Sequence, residues 1–520
     1  MPFISVDDSV SQSYNYVLVG LTLAARLSED PSVSVIVLEA GGFNPEDQLI
    51  SRPVQFGAHL GQDAYAWTFK TVPQENVAGR QIGWDRQVPC FLQPIPVTYR
   101  PLIRGKVLGG SSAINFSVWT NPAKGDIDDW EKLGNTGLEL GKLQQISLES
   151  NLLERRGSLE TWNLPKNGSL FLSNGTGVML ITTNRLRSPS IIVDAMALVN
   201  LGVPKAPLPL DGDPQDKEVI LSVGALKTPH LLELSGIGRP DVLKQAGITP
   251  RLDLPVGENV QEHVFASLSY ELKDGVADDT LDVLGDEVER QKHIDLHARG
   301  EGVFSMGIVN FAFLPLSTLS PNSDAIYSAT INSIKEKIDQ GRYSVGATET
   351  LKMQIQKVER NALDCEITTL PGFLSGPNPP RPGRKHFNIF CMNNSLFSRG
   401  TAHLTSSDPL VDPAYDPCYF EDKADLGALI ETVKFARKVC RTSPFKDVLD
   451  EEPVEVNPGP NVQTNEEIGA WIKQVLTSTW HTVGTASMLP RDKGGVVDSK
   501  LKRSHTELPE QAADIIKGLI

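Results

Sequence analysis

Cysteine is scarce in this 520-residue chain. Cys90, Cys365, Cys391, Cys418 and Cys440 are odd in number, far apart and never arranged as C-x-x-C, which excludes a disulfide framework and a thiolate zinc site. Nowhere does an uncharged apolar run approach the roughly 18 residues that a spanning helix needs. The opening MPFISVDDSVSQSYNYVLVG has neither a basic stretch nor an apolar core of the kind that marks an export signal. The expectation is a soluble protein with no membrane span, cytoplasmic as written and secreted only if the true N-terminus differs. Positive charge is also short, 49 Lys and Arg against 64 Asp and Glu, a net −15. No nucleic-acid partner is expected, because such binding draws its affinity from cations that neutralise phosphates.

What is present is globular in balance, with 40% hydrophobic and 22% charged residues. Single cores stop growing near roughly 250 to 300 residues, so two domains are expected. Tyr14 to Gly20 (YNYVLVG) is a short β-rich run. The following LTLAARLSED places Leu21, Ala24, Ala25 and Leu27 on one helical face, and VSVIVLEAGG is a continuous apolar run suited to a strand buried on both faces. Strand, helix and strand ending in an acid form a βαβ unit. Glu39 lies 19 residues after Gly20, near the spacing at which a carboxylate meets the ribose of a dinucleotide.

Further along, Pro89, Pro94, Pro96 and Pro101 bar a helix or central strand from residues 85–103, which reads as a loop or insertion. KEVILSVGALKTPHLLELSGIG sets a strand (Val219 to Ser222), a tight turn and a short helix in succession. The middle, about 266–465, mixes strands (HFNIFCMNN, GTAHLTSS) with a helix (DLGALIETVKFARKVC), an α+β layer. Phe304, Phe311, Phe313, Phe397 and Phe420 lie there, and core packing accounts for them more simply than a pocket for an aromatic alcohol. The cysteines read as small core hydrophobes.

In RGKVLGGSSAINFSVW, Gly109 and Gly110 let the backbone approach a flat ring or phosphate closely, and Ser111 and Ser112 add donors at a helix start. Asn115, four residues past Ser111, then shares its helical face. Four segments, in order, together resemble the glucose-methanol-choline (GMC) oxidoreductases, and in texture their fungal aryl-alcohol-oxidase-like branch. They are the opening unit ending in LEAGG, the segment Arg104 to Trp119, GALKTPHLLELSGIG with the following LPVGENVQEH, and TWHTVGTASMLP. The resemblance implies an α/β fold, with a Rossmann-like FAD-binding domain from discontinuous segments (13–125, 216–265 and 466–520). An α+β substrate domain with an antiparallel sheet would take 126–215 and 266–465.

It also implies FAD as cofactor, held by Gly20, Glu39, Gly109, Gly110, Ser111, Ser112, Asn115 and Trp480, and no metal. The implied reaction oxidises a primary or secondary alcohol to a carbonyl. His481 would be the general base, flavin N5 the hydride acceptor, and dioxygen or a quinone the final oxidant. An imidazole of ordinary pKa near 6.5 is largely neutral at pH 7 and suits that proton. His505, in SHTELPEQAAD, is a candidate second catalytic residue on the same resemblance, with a solvated surface histidine as the competing reading. For His263, in NVQEH, a structural role is expected.

The sequence departs from the family pattern in places. The family's first strand runs into G-x-G-x-x-G, whereas Gly20 is followed directly by Leu21, about five residues short or roughly 17 Å of extended chain. DGDPQDKE joins segments that a long stretch separates in relatives, and KLKRSHTELPEQAAD is shortened after Lys502. Three alternatives therefore stay open: an inactive homologue, a redox-neutral lyase or cyclase on the flavin scaffold, and a nicotinamide dehydrogenase. The last is disfavoured by GGSSAIN and GALKTPHLLELSGIG.

Overall fold

Three successive residues, Val35, Ile36 and Val37, are buried to 3% exposure or less. Side chains alternate along a strand, so burial of consecutive residues means that both faces of the sheet are covered. The structure, a computed structural model, describes residues 16–18, 23–24, 27–28, 32–42, 47–51, 62–83, 102–116, 118, 124–136, 178–182, 218–277, 279–306, 308 and 310–499. Strand β1 (Tyr16–Leu18) pairs in parallel with β2 (Val35–Glu39), Val17 opposite Ile36. β3 (Ala66–Phe69) and β4 (Leu102–Gly105) form a separate antiparallel ladder. β5 (Val178–Thr182) adds to β2, and β6 (Glu218–Ile220) adds to β1. The order β5-β2-β1-β6, parallel throughout, is that of the expected nucleotide-binding sheet.

Leu102 and Ile103, expected in a proline-rich loop, open strand β4 instead. Pro101 precedes the strand and so removes no donor from within its ladder. Residues 84–101 lie outside the described part. β6 begins at Glu218, the last residue of the shortened DGDPQDKE, and ends the sheet among the described residues.

The second sheet is antiparallel. β7 (Val264–Glu271) is buried at all eight positions, and β8 (Phe311–Leu314), β9 (Cys365–Leu370) and β10 (His386–Asn393) lie beyond it. β11 (Thr401–His403) pairs with β12 (Ala414–Asp416) outside this sheet. β13 (Glu455–Asn457) and β14 (Thr477–Ser478) both pair with β7, giving the order β13-β7-β10-β9-β8 with β14 off that path.

On one face of β7, Val264, Ala266, Leu268 and Tyr270 join the largest apolar cluster. Leu429, Ile430, Val433, Ala436 and Cys440 of the helix Lys423–Cys440 meet them there, a stripe at helical spacing. The helix Asn465–Val475 adds Ile468, Trp471 and Ile472 and starts at a capping box between Thr464 and Glu467. On the other face, Phe265 packs with Phe304, Leu370 and Phe390. Phe304, Phe397 and Phe420 are core residues, whereas Phe311 and Phe313 are half-buried and stacked 6.2 Å apart. Cys365, Cys391 and Cys440 are buried free thiols, and Cys90 lies outside the described residues.

An ionic clip ties the parallel-sheet side to the β11–β12 hairpin. His403 Nδ1 lies 2.7 Å from Oε1 of the fully buried Glu233, on the helix Gly224–Leu234, and its Nε2 lies 3.3 Å from Glu258 Oε1. Arg239 pairs with Glu258 in turn, at 2.7 Å, and with Asp241. Burial opposes the imidazolium, but the two carboxylates outweigh it and push His403 up to about 9. A raised pKa gives stability that is complete below the unfolded value near 6.5 and lost as pH rises through about 9, here on the order of 3 kcal/mol. Denaturant midpoints measured from pH 6 to 10 should therefore fall across that window, and His403→Gln should flatten the fall. A wild-type slope kept by the variant would refute this account.

Candidate active site

Two ladders bring His481 to His263. On one side, β14 pairs with β7, Thr477 opposite Phe265 and Ser478 opposite Val264, and the Thr479 N–H donates to His263 O at 3.1 Å. On the other, Gln261 and Val483 exchange hydrogen bonds of 2.9 and 3.0 Å. The chain between the ladders must turn out and back. Trp480 makes that turn at φ +64, a left-handed conformation that costs a side-chain-bearing residue roughly 1–2 kcal/mol. Its N–H donates to Ser478 Oγ at 2.7 Å. Gly484 closes the second ladder at φ +91, where a Cβ would lie 2.0 Å from Asn259 O.

The result is a histidine pair. The Nδ1 atoms of His263 and His481 are 3.2 Å apart, with ring centroids at 5.2 Å and planes at 82°. One nitrogen must donate and the other accept, so the two rings take opposite tautomers at this contact. Burial, with the Arg104 charge, pushes His481 down to about 4. Burial followed by His481 and Lys357 takes His263 to about 3. Both rings are neutral at pH 7. His481 is nonetheless open to solvent.

Behind the pair lies a buried polar cluster. Glu262 is 2% exposed, and burial pushes its carboxyl upward against the pull of Arg104. Its Oε2 accepts from Ser478 Oγ and, at 3.4 Å, from the Tyr419 hydroxyl. Arg104 donates to Thr482 Oγ1 at 2.5 Å, and the Tyr415 hydroxyl lies 3.2 Å from the same oxygen.

The glycine-bearing segments meet nearby. Glu39 ends β2, its Oε1 accepting the Gly41 N–H at 2.8 Å, and burial raises its carboxyl to about 7. Gly41 and Gly42 run against Lys106–Leu108: a Cβ on Gly41 would sit 2.0 Å from Lys106 O, and the Leu108 N–H donates to Gly42 O at 3.0 Å. Gly109 (φ +99) and Gly110 (φ +57) follow. Residues Gly110–Ile114 form a 3-10 turn instead of an α-helical start, so i and i+3 align and Asn115 does not share Ser111's face. Ser111 Oγ accepts the Gly105 N–H at 3.0 Å, Ser112 is exposed, and Asn115 donates to Val118 O at 3.2 Å. Trp480 packs on Val107 and Ile114 and meets the Phe116 ring edge-on at 5.6 Å, which joins the glycine segment to the histidine pair. Gly20 and His505 lie outside the described residues.

Among the predicted site residues, then, Glu39, Gly109, Gly110, Trp480 and His481 converge. Sequence reasoning missed Arg104 and Glu262 and assigned His263 a structural place. No local spacing could show a contact across 218 residues. The donor set fits a dinucleotide such as FAD. A carboxylate stands at the carboxyl end of a parallel strand, and Gly110 and Gly224, both at positive φ, face open space where a Cβ would meet nothing within 4 Å.

Comparison with known proteins agrees. A family model described as GMC oxidoreductase matches residues 94–208 and 212–265, and a second of the same description matches 397–507. The chain belongs to the GMC oxidoreductases. It is accordingly an FAD-dependent enzyme, of the class that oxidises alcohol-like substrates, with an α/β fold. The GMC oxidoreductase family protein Mala s 12 of Malassezia sympodialis is 29% identical over 95% of this chain and 87% of its own. A dehydrogenase of Monascus purpureus, mpl7, is 26% identical over 96% and 92%. That alignment runs over 596 positions against a chain of 520 residues, so many tens of them fall opposite gaps in this GMC oxidoreductase, in line with its shortened segments. An FAD-dependent oxidoreductase from Chaetomium thermophilum shares the fold, with a TM-score of 0.69 at 21% identity over 98% of this chain and 99% of the other. Among the described residues, no helix is long and apolar enough to cross a membrane, and no group of three or more metal-ligating side chains occurs.

Proposed function

We propose that this GMC oxidoreductase oxidises a primary or secondary alcohol to a carbonyl, with His481 as the general base. The observation that carries the reading is the neutral, solvent-reachable His481 ring hydrogen-bonded to His263 at 3.2 Å. When His481 donates from Nδ1 and His263 accepts at its own Nδ1, His481 keeps its Nε2 lone pair for the hydroxyl proton. FAD, when bound, supplies the two-electron acceptor for the hydride. Dioxygen or a quinone is the final oxidant in this reading.

Gly109, Gly110 and the open face at Gly224 would hold the cofactor's phosphates and ring, and Glu39 would accept from its ribose hydroxyls. Purified protein incubated with FAD should co-elute with flavin bands, which bleach when an alcohol is supplied without oxygen while the matching carbonyl accumulates. Turnover without carbonyl formation would defeat the reading.

Glu39 makes the binding pH-dependent. Hydroxyl donors favour the ionised carboxylate, so FAD should bind more tightly as pH rises through about 7 and release protons on binding. Titration calorimetry in buffers of differing ionisation enthalpy measures that release. Glu39→Gln should abolish it, and an equal release in the variant would remove Glu39 from the site.

A further inference from the structure

The buried carboxylate behind the histidine pair has no part in the proton transfer just described. Glu262 is 2% exposed and immediately precedes His263. A charged side chain in such a place is costly unless its hydrogen bonds are spent on something the fold needs. Its Oε2 takes the Ser478 hydroxyl, and the Ser478 oxygen in turn accepts the Trp480 N–H at 2.7 Å. One continuous chain of contacts therefore runs from the residue beside His263 to the residue beside His481. It ends on the one backbone N–H whose residue sits at φ +64, the turn that aims His481. Tyr419 adds a second hydroxyl to the same oxygen at 3.4 Å, while Oε1 is buried without a hydrogen-bond partner.

We propose that Glu262 is a positioning residue for the oxidation, holding the Trp480 turn through Ser478 so that His481 meets His263. The carboxylate accepts from Ser478, which leaves the serine oxygen's lone pair for Trp480. Without that acceptor the hydroxyl hydrogen is free to turn, and the left-handed turn loses its anchor. The two histidines then keep their segments but lose their mutual registry. A misplacement of about 1 Å is enough to cost roughly 10²-fold in rate. The inference rests on His481 being the base.

The test uses the full chain with FAD bound and an alcohol that the parent enzyme oxidises. Glu262→Leu, which removes the acceptor, Ser478→Ala and the double variant are compared for kcat, KM and flavin content, with Glu262→Gln, whose amide oxygen can still accept from Ser478, as the variant expected to keep most of the parental kcat. Glu262→Leu and Ser478→Ala should each lower kcat by about 10- to 100-fold with KM and flavin content unchanged. The double variant should lose no more than the worse single one, because both act along one chain of contacts. A purely structural role would lower flavin content and melting temperature without this selective loss of kcat. Parental kcat in both Glu262→Leu and Ser478→Ala, or losses that multiply in the double, would overturn the proposal. If Glu262→Leu fails to fold, Ser478→Ala decides alone. If His481→Ala turns over normally, the reading of the base has failed; if it is inactive while Glu262→Leu and Ser478→Ala run at the parental kcat, only the role of Glu262 has.

Discussion

Replacing His481 by Ala is expected to lower kcat by about 10²- to 10⁴-fold while FAD stays bound. His481 is the exposed member of the histidine pair, His263 being half-buried, and its ring is neutral at pH 7. The variant removes the ring and leaves Trp480, Val107 and Ile114 in their cluster, so the flavin absorption bands should survive and serve as the control for folding. The pH dependence is equally specific. A base must be deprotonated, and burial with Arg104 holds His481 near 4, so kcat/KM should stay level through the ordinary histidine range and fall only as pH drops through about 4. A fall centred near 6.5 would mean that the base titrates like an exposed imidazole, and the desolvated site described above would then be wrong.

Gly41→Ala is expected to abolish FAD binding and to destabilise the protein. The added Cβ would lie 2.0 Å from Lys106 O and 2.4 Å from Val107 N, both backbone atoms that no rotamer change can move. The strand end carrying Glu39 must then separate from the segment that leads into Gly109 and Gly110, breaking the Leu108–Gly42 hydrogen bond. Overpacking costs typically about 1–3 kcal/mol, and here the displaced backbone is the cofactor cradle itself. Fluorescence titration with FAD measures the affinity, and thermal melts of the apoprotein measure the cost. Wild-type affinity in Gly41→Ala would show that the two segments do not hold the cofactor jointly.

Legibility of the sequence followed the range of the interactions. VSVIVLEAGG was legible as a doubly covered strand because it is a continuous apolar run, and DLGALIETVKFARKVC was legible as a helix, whose Leu429, Val433 and Ala436 form the buried stripe. Local rules failed at Leu102, where proline marked a strand's boundary and not its absence, and at Ser111, where a tight 3-10 turn replaced the expected helix. Within the site, His481 was singled out by resemblance, not by pattern. Its partner was beyond any pattern, since the pair is made by the β14–β7 ladder and the Gln261–Val483 bridge. Glu262 and Arg104 were equally silent: a buried acid and a surface acid look alike in sequence, and only packing separates them.

The two ladders flanking the histidine pair also set the order in which activity can arise as the chain folds. Closing a contact across 218 residues costs loop entropy that local helices and hairpins never meet. The antiparallel ladder of β7, β10 and β9 is built from chain between Val264 and Asn393, and the helices Lys423–Cys440 and Asn465–Val475 then cover one face of β7. The base arrives only when β14 reaches the free edge of β7. During synthesis the protein therefore spends its early life as a scaffold with no chemistry, and reactivity is switched on by one of the last strands to dock.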